Sequence, residues 1–122
     1  MANVVTDVGL GLTTAAMAAS SNKYVAWGTD DTAADVTDTA LGAESAEDRT
    51  TGTQSQQTTT TADDTYRVVG TITATDTRAI TEAGVFSADD AGSMLGHAVF
   101  AAINIATSDS IAFTFNFKYD QA

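Results

Sequence analysis

Large apolar and small or polar residues alternate most clearly in the last third of the chain, from Ile80 to Tyr119, which reads as three consecutive strands separated by two polar turns. In IAFTFNFKY, residues 111–119, every odd position is large and apolar and every even one small or polar. Such a period of two predicts a strand with one buried face, with Phe113, Phe115 and Phe117 inward and Thr114, Asn116 and Lys118 outward. Upstream, residues 65–75 predict a strand with Tyr66, Val68, Gly70, Ile72 and Ala74 on one face. A turn at Asp76 and Thr77 leads to a strand from Arg78 to Ser87 that buries Ile80, Val85 and Phe86. Gly84 inside it predicts a bulge or a close backbone approach, and a bulge would reset the alternation so that Val85 and Phe86 both find cover. Residues 89–92 predict a hairpin turn, Ser93 to Ile105 the next strand, and residues 107–110 the turn into the last.

The first part of the chain is less regular. Val5, Val8, Leu12, Ala16 and Ala19 recur at spacings of three and four, which predicts a helix from about Asp7 to Ala19, capped by Thr6 or Asp7 and packed along that thin stripe. Gly9 and Gly11 each cost about 1 kcal/mol relative to Ala, so packing rather than propensity must hold it. Tyr24 to Gly28 predicts the first strand of the core. From Thr29 to Asp48 the residues are Asp-, Thr- and Ala-rich with no sustained period. This is a loop longer than most ordered connections, with Leu41 as the anchor to the body. Residues 49–61, RTTGTQSQQTTTT, allow either a mobile segment or a Thr/Gln strand, and we expect a strand at a sheet edge or subunit contact.

These elements predict one mainly β domain over residues 1–122, an antiparallel β-sandwich or small barrel with one short N-terminal helix. Residues 1–22 form an arm and helix, and residues 23–122 a β-core with a long acidic loop at about 29–48. No cysteine or proline is present, so disulfides and thiolate chemistry are absent and Gly, Asn and Asp supply the turns.

Charge narrows the partners. Sixteen acidic residues against five basic ones leave a formal net charge of -11. Nucleic acid and anionic membranes are therefore not expected partners, since both are held by clustered Lys and Arg. The uncharged run from Val8 to Asn22 falls short of the roughly 20 apolar residues that span a bilayer, and no basic signal-peptide start precedes it. Asp far outnumbers Glu, and Lys is reduced to Lys23 and Lys118. That balance fits a protein working at high salt, where the Debye length shrinks to about 3 Å at molar strength; ordinary solubility also favours acidic surfaces.

Candidate chemistry is sparse. His97 is the only histidine, and its setting in a strand without a nucleophile turn predicts a structural or solvent-facing ring. The adjacent acids Asp30 and Asp31, Asp63 and Asp64, and Asp89 and Asp90 lack the spacing of an EF-hand loop and read as turn chemistry. Trp27, Phe86, Phe100, Phe113, Phe115 and Phe117 fall at core-facing positions. No catalytic, cofactor-binding or metal-binding residues are assigned, no cofactor is expected, and the chain is not expected to be an enzyme.

Taken in order, the segments TDVGL (6–10), YVAWGT (24–29), TAL (39–41) with Glu44 and Arg49, ITEAGVF (80–86), GSML (92–95) and AVF (98–100) resemble a widespread group of small structural proteins of tailed viruses. The resemblance spans nearly the whole chain. It implies a virion structural protein, foremost a capsid decoration (cement) protein that sits on the outer surface of the capsid as a homotrimer, bound to the major capsid protein. A tail-fibre or host-surface-binding module is the alternative within the same group. Where that group tolerates Lys or Arg this chain has Asp, Thr or Ala, in keeping with a virus of a halophilic host. The arm from Met1 to Val5 is expected to act as a tether between subunits.

Overall fold

The computed structural model describes residues 3–120. Met1 and Ala2, the start of the expected arm, and residues 121–122 lie outside the described residues. Helix α1 (Asp7–Ala18) precedes seven strands: β1 (Tyr24–Gly28), β2 (Thr50–Thr51), β3 (Thr53–Gln57), β4 (Thr65–Thr73), β5 (Arg78–Phe86), β6 (Met94–Ile105) and β7 (Ser110–Lys118). They build two antiparallel sheets, one of four strands in the order β2-β1-β5-β6 and one of three in the order β3-β4-β7. The sheets face each other across Val25, Trp27, Tyr66, Val68, Ile72, Ile80 and Val85. They do not close on one another, so of the two expected architectures the sandwich is the one formed.

At one side of the sandwich the chain itself passes from sheet to sheet, from β2 to β3 through Gly52. A Cβ there would lie 2.5 Å from Val68 Cγ1 and 2.8 Å from the Lys23 carbonyl oxygen, so only glycine lets the crossing run this close to the core. At the other side β6 and β7, joined by a short turn, end their respective sheets.

Strands β1 and β5 are buried on both faces, and of the two roles expected of Gly84 the bulge is not formed and the close approach is. Gly84 stays in regular register, opposite Ala26 and His97; the irregularities fall between Ile80 and Glu82 and between Val85 and Phe86. Val85 belongs to the inter-sheet core, whereas Phe86 packs with Ala26 and Leu41 on the outer face of the sheet. Cover for Phe86 comes from residues 29–48 folding over that face. Gly84 does serve the close approach, because a Cβ there would meet Leu41 Cδ2 at 3.1 Å. Leu41, 7% exposed, is the anchor of the loop as expected.

Helix α1 begins where its cap requires: the Gly9 N–H donates to Thr6 Oγ1 at 3.0 Å. Its orientation reverses the expectation. Val5, Val8, Leu12, Ala16 and Ala19 are exposed, while Leu10 and Thr14 are buried and Met17 and Ala18 pack against the core. The reason is the polar strand beneath. Gln54 Nε2 donates to the carbonyls of Met17 (3.0 Å) and Ser20 (2.9 Å), and Gln56 Nε2 to Gly11 O and Thr14 Oγ1, both at 2.9 Å. Thr14 Oγ1 donates in turn to the Asp63 carbonyl at 2.7 Å. Spacing marks a stripe but not which way it points, and here hydrogen bonds to β3 turn the Gly11–Thr14 side inward. The Thr/Gln segment does lie at sheet edges, as β2 and β3, and its Gln54 and Gln56 bind the helix of their own chain.

Candidate functional site

The densest polar arrangement is built on β5 and β6 beneath the 29–48 loop. Glu82, 0% exposed, projects from the outer face of β5 into the underside of the loop. Its Oε1 accepts from the Gly42 N–H (2.9 Å) and from His97 Nε2 (2.9 Å), and its Oε2 from the N–H groups of Ala43 (2.8 Å) and Asp30 (3.1 Å). Four donors thus converge on one carboxylate, three of them backbone amides of the loop, which pairs with the sheet only in an isolated bridge between Gly28 and Glu44 among the described residues. The first strand makes room for this: a Cβ on Gly28 would lie 2.5 Å from the Ala43 carbonyl oxygen and 2.6 Å from Glu82 Oε2. Thr81 Oγ1 adds a bond to the Asp30 carbonyl at 2.8 Å.

His97 completes the site. As an imidazolium it donates from Nε2 to Glu82 and from Nδ1 to Asp38 Oδ2 at 2.7 Å, so a ring on β6 links a buried carboxylate to one in the loop. Burial opposes its charge, but the hydrogen bonds to Asp38 and Glu82 outweigh that cost and hold its pKa above the ordinary histidine value. Asp38 is held below the usual carboxylate range, first by the Asp35 N–H and then by His97. The expectation of a structural histidine is met in its first form: the side chain is 9% exposed and does not face solvent.

This geometry limits the chemistry. Both nitrogens of His97 are engaged by carboxylates, so the ring can take a proton from a hydroxyl only by giving up one of them. A groove between the loop and β6 is lined by Asp35, Val36, Asp38, Met94 and His97. Its acids are engaged as well, since Asp35 Oδ1 accepts from the backbone N–H and hydroxyl of Thr37. What the arrangement does is hold down a roof.

Two further anchors finish the loop. Glu47 accepts from Trp27 Nε1, the Thr75 N–H and hydroxyl, and Arg78 Nε. Burial raises its pKa, yet these bonds prevail and bring it down to about 2. Arg49 forms a two-pronged pair with Glu44, donates to the carbonyls of Ala88 and Ala91, and stacks 3.7 Å over the Phe86 ring. Glu44, Arg49 and Glu82, all within the segments that carried the resemblance, therefore each help to fasten this loop.

The adjacent acids are turn residues, as expected. Asp30 Oδ1 accepts from the Thr32 N–H and hydroxyl, and Asp90 from the Ala91 N–H. Asp64 gathers the N–H groups of Thr59, Thr60 and Thr61 and the Thr65 hydroxyl, with the Thr61 amide contributing most to a strongly lowered pKa. Sequence reasoning missed Glu82 and its link to His97. The available signal was a carboxylate in a strand otherwise made of apolar and small residues.

Of the six aromatics expected in the core, Trp27 and Phe86 are buried, while Phe100, Phe113, Phe115 and Phe117 are only half-buried along the β6/β7 side. A second apolar surface runs along the N-terminal segment, where Val4 is 81%, Val8 73% and Leu12 68% exposed. No protein family and no characterised protein sequence matches the chain.

Proposed function

We propose that this protein is a structural subunit of a virion, a decoration protein that binds the outer shell of the capsid as a homotrimer and stabilises it. The observation that carries the reading is the exposed apolar stripe of Val4, Val5, Val8 and Leu12 at the N-terminal end of a strongly acidic, rigidly roofed body. Exposed apolar residues scattered singly need no explanation; four gathered on one short segment of a soluble β domain mark a contact surface. The bonds from Gln54 and Gln56 hold that stripe outward, so it is part of the fold rather than a frayed end. A helix presented this way suits an apolar groove on a shell subunit. Repeated at every trimer, modest contacts add into resistance to internal pressure. A non-enzymatic role is supported by the full engagement of His97 and its neighbouring carboxylates within the fold.

The test is a count and a substitution. Quantitative gels of purified particles should show hundreds of copies relative to the major capsid protein; a handful would move the protein to the tail, and none would remove it from the virion. Particles assembled with Val8→Asp/Leu12→Asp should lose most of the bound protein, while the isolated variant melts as the parent does. Undiminished occupancy would rule out the stripe as the shell contact.

A further inference from the structure

The side of the sandwich opposite the Gly52 crossing is unfinished. Strands β6 and β7 are each the last of their sheet, and among the described residues no strand pairs with their outer edges. The core thins there in register. Tyr66, Val68 and Ile72 of β4 are at most 2% exposed, but their partners on β7, Phe117, Phe115 and Ile111, are half-exposed, as is Phe113 opposite Gly70. Phe100 of β6 meets Phe113 across the opening with ring centroids 6.2 Å apart. Between Ile80 and Glu82 the β5/β6 register slips, so that Phe100 to Ala102 stand opposite Thr81 alone, and Ala101 to Asn104 are exposed, with Ile103 41% exposed.

Long edges of this kind are normally blunted by Lys, Pro or inward charges. Here β6 contains no Asp, Glu, Lys or Arg over its twelve residues, and β7 carries only Lys118 at its end. In a chain of net charge -11 these two strands carry no carboxylate. Two copies meeting along β6 and β7 bring no strand carboxylates together, which spares the contact the repulsion expected between two chains of this charge. An edge of twelve residues and two sheets deep covers roughly 40 Å by 20 Å, about the 800 Å² per partner of a stable specific interface. Missing charge and half-covered aromatics describe the same occupant.

We infer that the β6/β7 side is a self-association surface, covered by a second copy of this chain through strand pairing. The inference names the subunit contact behind the trimer proposed above and is separable from shell binding. Pairing β6 on β7 of the next copy in a closed ring gives a trimer; pairing like strands gives a two-fold dimer; either stoichiometry uses this edge.

The experiment measures mass in solution by analytical ultracentrifugation, in molar NaCl, for the full chain and for Ala102→Asp/Ala112→Asp, with Val36→Asp at the exposed loop tip as control. Both alanines are exposed, so the double variant keeps the core. The parent and the control should sediment as a multimer of the 12.5 kDa chain. The double variant should associate at least roughly 100-fold more weakly, because like charges then face each other across the contact. Circular dichroism should show an unchanged sheet signal. A parent that stays monomeric at about 100 μM overturns the inference, as does a multimer indifferent to the two aspartates. If the parent is monomeric and the double variant loses shell binding, the edge serves a shell strand: the inference falls and the virion role stands. If the edge drives association but particles contain none of the protein, the inference stands and the virion role falls.

Discussion

Replacing Glu82 by Gln removes one charge and almost no volume, so its effect isolates the hydrogen bonds that hold the roof. The two carboxylate oxygens each serve two donors, Gly42 N–H with His97 Nε2 on one side and Ala43 N–H with Asp30 N–H on the other. A Gln amide must point its NH₂ toward one of these pairs: toward Ala43 and Asp30 it leaves two backbone donors without an acceptor, and toward Gly42 and His97 it leaves one, because the ring can give up its Nε2 proton and accept instead. Each buried unsatisfied donor costs about 1–3 kcal/mol, so Glu82→Gln in its cheaper orientation should destabilise the domain by roughly 1–3 kcal/mol. For a chain of this size that is on the order of 10 °C in Tm. Thermal melts should show the loss, and native-state amide exchange should localise it, with protection at Gly42 and Ala43 falling more than at Val68 in the sandwich core. Asp89→Asn, exposed in the hairpin turn, is the control and should stay within about 0.5 kcal/mol. If both variants melt together, or if protection falls evenly through the molecule, the carboxylate does not hold the loop and the reasoning is wrong.

Three further outcomes follow from the charged groups. Glu47 has a folded pKa of about 2 against an ordinary 4.5, so its contribution is present above the unfolded value and lost as pH falls through that interval. The gap in stability between the parent and Glu47→Gln should therefore close between about pH 5 and pH 2, and a constant gap would contradict the assignment. His97 titrates in the opposite sense. Its pKa is raised in the fold, so its stabilisation is full below the ordinary histidine value and is lost as pH rises through the raised one. Protection factors at Gly42 and Ala43 should drop on moving from about pH 6 to about pH 9, more in the parent than in His97→Gln, and equal drops would refute the link. Dilution from molar salt to about 0.1 M lengthens the Debye length from about 3 to about 10 Å and exposes the excess carboxylates to one another. If the composition is a high-salt adaptation, the melting temperature should fall on dilution; an unchanged melt would leave solubility as its explanation.

Much of the β-architecture was legible because a strand's periodicity is local. The alternation in residues 65–75 and 111–119 identifies β4 and β7 and the sides they turn inward, and the breaks at residues 76–77, 89–92 and 107–110 locate the turns. The Thr6 cap, the Leu41 anchor and the turn roles of the aspartates were readable for the same reason: each depends on neighbours a few residues away or on a single apolar residue in a polar stretch. The candidate site was nearly invisible. Glu82 meets its partners 39, 40 and 52 residues away, and His97 reaches Asp38 across 59.

What the sequence by itself determined is which segments are strands, which are turns, and that the domain is an acidic β protein, since backbone sterics and side-chain alternation act over a few residues. The tertiary structure decided everything that depends on what covers a face. Phe86 is buried because a loop roofs it, Leu12 is exposed because glutamines hold the other side of its helix, and Phe115 is half-covered because no strand among the described residues pairs with the outer edge of β7. Burial is a property of two surfaces, and a single stretch of sequence contains only one of them.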